Sequence, residues 1–211
     1  MALVQEIILV HGLWFGPWAM KRLERNFQSE GFRTRRFAYP TTGDGLERHA
    51  AKLRDFARES SADRLHFASH SLGGLVTLNM LNDSDGLPPG RVILLGSPLG
   101  GSETARRVAR IPGAQRLFGK IRPTLETGYP HLPEHREIGL IAGSRPIGLG
   151  RLVGGPGNPS DGTVAIDETR SDDLKDHLVL PVTHTGMLYS KKVAHQAAMF
   201  LQNGHFKHSS A

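Results

Sequence analysis

Phe67-Ala-Ser-His-Ser71-Leu-Gly-Gly74 is the stretch that decides how this chain is read. On its amino-terminal side, Arg64 to Ala68 has the composition of a short buried strand; on the other, Leu72 to Leu81 has that of a helix. A serine on so sharp a corner has its hydroxyl pushed out above the sheet. The small residues two positions either side of it let the backbone pack closely. A helix starting at Leu72 also aims its free N–H groups, and the positive end of its dipole, at charge developing beside the serine. Read alone, the segment also fits an ordinary strand-turn-helix with incidental serines, so its surroundings must decide.

Outward from this corner the same alternation continues. Glu6 to Val10, Arg33 to Tyr39, Arg91 to Leu95, Glu137 to Ala142 and His177 to Leu180 read as strands. Trp18 to Glu30 has helical spacing, with Trp18, Leu23 and Phe27 on or near one face and Gly31 closing it. Leu46 to Glu59 carries a stripe of Leu46, Ala50, Leu53, Phe56 and Ala57, and Lys191 to Gln202 is a closing helix. The prediction is an α/β fold with a mostly parallel central sheet and helices on both faces. Residues 1–206 are expected to form a single domain and 207–211 a disordered tail. Two stretches break the pattern. Gly100 to His135 holds a helical piece and then a Pro-rich irregular segment, and Arg145 to Asp161 is rich in glycine and proline. Both leave the end of a predicted strand, where ligands bind in open α/β sheets.

Composition narrows the function classes. With 38% hydrophobic and 22% charged residues in 211, the chain has the profile of a soluble globular protein. A net charge of +6 allows weak contact with an anionic membrane surface, but no recognition motif accompanies it, so nucleic acid is not an expected partner. The absence of cysteine excludes disulfides and thiolate metal sites. The amino terminus has no basic n-region or cleavage site, and its apolar run is far short of the ~20 residues of a membrane span, so a cytoplasmic location is expected by default.

The corner at Ser71 resembles the nucleophile elbow, G-x-S-x-G, of the α/β-hydrolase family, with Ser69 in place of the first glycine. Three further matches extend that resemblance. Val10-His11-Gly12-Leu13 follows the first strand as the family's H-G pair does. Leu95-Gly-Ser-Pro-Leu-Gly-Gly-Ser102 looks like the segment after the next strand in small bacterial lipases. Phe200-Leu-Gln-Asn-Gly-His-Phe206 looks like the end of their last helix. Together the matches run from about residue 6 to 206.

The resemblance implies a serine esterase or lipase without a large cap domain, with catalytic groups in the chain order serine, acid, histidine. Ser71 is then the nucleophile. His184, in Leu180-Pro-Val-Thr-His-Thr-Gly-Met187 between the last strand and last helix, is the base. Asp161, in Asn158-Pro-Ser-Asp161-Gly-Thr-Val164, matches a D-G-x-V found at the acid position of family lipases, with Asp167 second choice. Asp167, Asp172, Asp173 and Asp176 sit in a charge-rich stretch that reads as a solvated helix face. By the same resemblance the backbone N–H groups of Leu13 and Leu72 form the oxyanion hole. His11 is expected to be a structural hydrogen-bonder and His70 to pack beside the elbow. Trp14 and Phe15 are candidate substrate-binding residues, although these aromatics equally fit packing of the first helix on the sheet.

No cofactor or metal is expected, and the partner is a small-molecule or lipid ester. Acyl transfer, thioester or amide cleavage on the same triad, or a silent binding protein of this fold, remain open, as does oligomeric state. The segment from Glu103 to Arg122 has a basic amphipathic pattern interrupted by Pro112-Gly113. It fits a small lid touching anionic lipid or a solvated cap over the sheet edge.

Overall fold

The structure, a computed structural model, describes residues 3–83, 86–129, 131–148, 150, 153–157 and 159–208. The strands are β1 (Gln5–Val10), β2 (Arg33–Phe37), β3 (Arg64–His70), β4 (Val92–Leu95), β5 (Ile138–Gly143) and β6 (Asp176–Leu180). They form one sheet in the order β2-β1-β3-β4-β5-β6, with every neighbouring pair parallel. The helices are α1 (Lys21–Ser29), α2 (Leu46–Arg58), α3 (Leu72–Asn82), α4 (Glu103–Ala109), α5 (Arg122–Thr127) and α6 (Lys191–Asn203).

Parallel strands need both faces covered, and the side chains divide accordingly. In β1, Ile7 and Leu9 enter the core under α1 and α6, while Ile8 and Val10 enter the core under α2 and α3. Helix α3 is buried on nearly every side because it lies between the sheet and α2, which is why its sequence shows no apolar stripe. Strand β2 lies at an edge and carries Arg33, Arg35 and Arg36, charges that disfavour pairing with another chain. Arg35 donates to the buried Glu6 carboxylate at 2.9 Å and lies over the Phe56 ring, so that edge is tied to the core.

The chain runs from β1 outward to β2, then returns past β1 to β3, so the connection reverses direction between β1 and β3. Their carboxyl ends diverge there and leave the crevice in which open α/β sheets bind ligands. His11-Gly12-Leu13 follows β1 and Ser71 follows β3.

Several expectations are corrected. Pro17 opens a 3-10 turn (Pro17–Met20), and the α-helix begins only at Lys21. Trp18 therefore leaves the face shared by buried Leu23 and Phe27 and is 62% exposed. The Pro-rich part of the 100–135 insert contains two 3-10 turns and the short helix α5. Lys207 and His208, assigned above to a tail, are held. The Lys207 N–H donates to Gln196 Oε1 (2.9 Å), and the His208 ring bonds Asp176 at 2.8 Å. Residues 209–211 lie outside the described residues, as does Asn158 of the turn before Asp161. No helix among the described residues is long and apolar enough to cross a membrane.

Candidate active site

Ser71 caps α3 with φ 53° and ψ −122°, a conformation a non-glycine residue holds only where its surroundings impose it. Here the Ser71 N–H donates to Leu95 O at 2.9 Å and its C=O accepts from Gly74 N at 3.0 Å. Helix α3 must also come very close to β1. A methyl group at Gly73 would lie 2.6 Å from the carbonyl oxygens of both Val10 and His11. Glycine at that position is therefore a steric requirement. The serine at position 69, where the family has glycine, is accommodated by a hydroxyl relay. Thr77 Oγ1 donates to Gly73 O at 2.9 Å, which leaves the Ser69 hydroxyl to donate to Thr77 Oγ1 at 2.7 Å.

Asp161 stands in a tight turn closed by the antiparallel bridge Ser160–Ala165 and is 1% exposed. Its Oδ1 accepts from the N–H groups of Thr163 (2.9 Å) and Val164 (2.7 Å). Its Oδ2 lies 2.7 Å from His184 Nδ1. The His184 N–H also donates to Asp161 O at 2.9 Å, so ring and backbone are aligned by the same residue. A carboxylate only accepts, so the imidazole proton sits on Nδ1 and Nε2 keeps a free lone pair. Gly96, at φ +60°, clears space for this pair: a methyl group there would lie 3.1 Å from both Asp161 Oδ2 and His184 Nδ1. The second-choice acid, Asp167, pairs with Arg170 instead, and Asp176 holds the Phe206 N–H and His208.

Ser71 and His184 line one cavity of about 310 Å³ together with Leu13, Trp14 and Phe15. Its remaining walls are largely apolar, including Val108, Phe118 and Leu125 from the insert. The Ser71 hydroxyl makes no hydrogen bond to His184 or to any other described residue in this arrangement. The N–H groups of Leu13 and Leu72 likewise have no acceptor among the described residues. Trp14 follows in a left-handed conformation (φ 60°), held by its N–H to Thr41 Oγ1 (3.1 Å) and its indole Nε1 to Leu117 O (3.0 Å). Of the two roles open to these aromatics, Trp14 and Phe15 both border the cavity, and Trp18 packs edge-on against Phe15.

Two histidines beside the site, expected to be structural, have partners that residue spacing could not reveal. His70 is fully buried, and its Nε2–H donates to His184 O at 3.0 Å across 114 residues of sequence. Burial, and then the neighbouring His184, push the His70 pKa well below the ordinary value. His11 stacks on Tyr39 at 4.5 Å and its Nδ1 lies 3.1 Å from Gly12 O, while burial lowers its pKa. Both rings stay neutral supports of the backbone around the site.

Comparison with known proteins agrees with this architecture. The model of the alpha/beta hydrolase family matches residues 7–194. The chain belongs to the alpha/beta hydrolase family. No curated protein sequence matches it. Among solved structures it is similar to the Bacillus licheniformis lipase BlEst2 in mature form, at 18% identity and a TM-score of 0.73, covering 96% of this chain and 92% of that one. It is similar to the metagenomic carboxyl esterase MGS0156, at 15% identity and a TM-score of 0.71, covering 96% and 76%. It is also similar to the phospholipase PlaB from Legionella pneumophila, at 16% identity and a TM-score of 0.67, covering 92% and 56%. At these identities the likeness is one of fold.

Proposed function

We propose that this alpha/beta hydrolase is a serine hydrolase that cleaves carboxylic esters through an acyl-enzyme, with Ser71 as nucleophile, His184 as base and Asp161 as supporting acid. The observation that carries the reading is the 2.7 Å bond from His184 Nδ1 to a buried carboxylate, beside a cavity that Ser71 also lines. That bond leaves His184 Nε2 with the lone pair a base needs, on the side of the ring away from the acid.

In the first step His184 Nε2 takes the Ser71 proton as Oγ attacks the ester carbonyl carbon. The oxyanion accepts from the unpaired Leu13 and Leu72 N–H groups, donors of a kind that contribute several kcal/mol to such transition states. The protonated imidazole gives its proton to the departing alkoxide, and an acyl-Ser71 ester remains. Water then gives a proton to His184 Nε2 as it attacks the acyl carbon, and His184 returns that proton to Ser71 Oγ as the acyl–oxygen bond breaks and the acid leaves. Throughout, Asp161 holds the ring and stabilises the imidazolium.

The largely apolar walls, with Trp14 and Phe15 at the mouth, suit an acyl chain better than a charged group. The names of the three structural neighbours, a lipase, a carboxyl esterase and a phospholipase, support the same class of bond. The substrate is accordingly a small-molecule or lipid ester. The test is a panel of activated esters, thioesters and amides offered to wild type and Ser71→Ala. Ester turnover that vanishes in the variant is expected. Turnover surviving in Ser71→Ala refutes the nucleophile, and a fully inert wild type refutes the enzyme.

A further inference from the structure

The mouth of the cavity is ringed by apolar side chains that the described residues leave exposed. Trp14, Trp18, Ile111, Leu117 and Ile147 are 46–69% exposed. Trp14 and Ile147 line the cavity itself, and Trp18 packs against Phe15, which also lines it. Leu117 is joined to Trp14 through its carbonyl and precedes Phe118, which stacks on Trp14 at 5.7 Å. Ile111 sits one turn beyond Val108, another lining residue, to which its N–H donates. An apolar rim of this kind around a cavity marks a surface that meets another phase or molecule.

Charge selects the occupant. From Thr104 to Leu125 the sequence has no acidic residue. Arg106 and Arg107 are neutralised by Glu103, with Glu168 also near Arg106, and Arg122 by Glu126. Arg110, Arg116 and Lys120 are exposed, and no ion pair with any described residue engages them. They flank Ile111 and Leu117 along the chain, so free cations and bare apolar groups alternate on the same segment. We propose that this rim is a docking surface for anionic lipid. The apolar side chains enter the headgroup layer, and Arg110, Arg116 and Lys120 meet the lipid phosphates. The inference rests on the ester-cleaving reading only for what docking delivers, an acyl chain passing from the bilayer to Ser71.

Trp14 and Trp18 are the only tryptophans in the chain, so intrinsic fluorescence reports directly on this rim. The full chain is mixed with vesicles of phosphatidylcholine alone, or of phosphatidylcholine with phosphatidylglycerol. Emission and co-sedimentation are then followed. A blue shift and sedimentation only with the anionic vesicles, both reversed by salt, are expected. Each cation near such a surface contributes roughly 5-fold, so Arg110→Gln/Arg116→Gln/Lys120→Gln should weaken partitioning on the order of 100-fold. That triple variant should still turn over a soluble short-chain ester at the wild-type rate, and Ser71→Ala should bind vesicles like wild type.

Equal binding to neutral vesicles, insensitivity to salt and to the triple substitution, or a blue shift that tracks protein concentration without lipid would each overturn the proposal. The last of these would mean that the rim pairs with a second copy. Vesicle binding in a protein that cleaves no ester would sink the enzymatic reading and leave the docking surface standing.

Discussion

Replacing Asp161 by asparagine tests the orientation of the base. The two carboxylate oxygens have separate duties: Oδ1 accepts from the Thr163 and Val164 N–H groups, and Oδ2 faces His184 Nδ1. In asparagine only the oxygen can accept two N–H donors, so it must take the Oδ1 position. The amide NH2 is then aimed at His184 Nδ1, which is forced to be an acceptor, and the imidazole proton moves to Nε2. An imidazole in that tautomer cannot take the Ser71 proton. The expected loss in kcat is about 10^4-fold, the scale known for a base locked in the wrong tautomer. At about 1.4 kcal/mol per decade, this is about 5–6 kcal/mol of transition-state stabilisation.

Stability should hardly change, because both backbone donors keep their acceptor. Asp161→Ala provides the contrast: it orphans those N–H groups in a buried turn, at about 1–3 kcal/mol each. The assay is turnover of a p-nitrophenyl ester alongside urea unfolding of the three proteins. If Asp161→Asn keeps kcat within tenfold of wild type, or unfolds as readily as Asp161→Ala, the division of labour between the two oxygens is wrong.

Other consequences are equally specific. Gly73→Ala places a methyl group 2.6 Å from two backbone oxygens, so α3 must retreat from β1. A loss of about 1–3 kcal/mol in stability is expected, with reduced ester turnover as the Leu13 and Leu72 donors separate; an unchanged melting temperature would contradict it. His66 gives a pH signature. It is buried with Nδ1 accepting from Arg91 N and Nε2 donating to Gln5 Oε1, a neutral tautomer. Burial, and then the guanidinium groups of Arg91, Arg64 and Arg136, push its pKa down to about 4 from the ordinary 6.5. The unfolded chain therefore binds the proton first as pH falls. Its contribution, about 3 kcal/mol, is whole above pH 6.5, declines as pH drops, and is gone by about pH 4. Urea midpoints measured between pH 7.5 and 4 should show this decline. A His66→Gln protein should show less of it, and an identical slope in the two would refute the assignment.

Much of this was legible in the residues because it rests on local pattern. Six short segments read as strands became the six strands, and the corner at Ser71 is marked by neighbours whose smallness has a steric cause at Gly73. The turn around Asp161 was legible too, since Asp-Gly-Thr-Val offers a side-chain acceptor to the next N–H groups. Contacts between distant segments were not. Nothing near His70 in sequence announces that it holds the carbonyl of His184, and nothing near Trp14 announces that its indole reaches Leu117 O in the insert. Helix α5 escaped notice because six residues, with Pro123 in the first turn, are too few to display a period. Trp18 was misassigned because its spacing from Leu23 fits a helix that Pro17 in fact delays by one 3-10 turn.

Peptide mapping after inactivation with a fluorophosphonate asks the enzyme itself which atom is nucleophilic. One adduct, on the peptide containing Ser71 and absent once Asp161 or His184 is replaced, is the predicted result. Labelling of a different side chain, or none in a folded protein, would contradict the account.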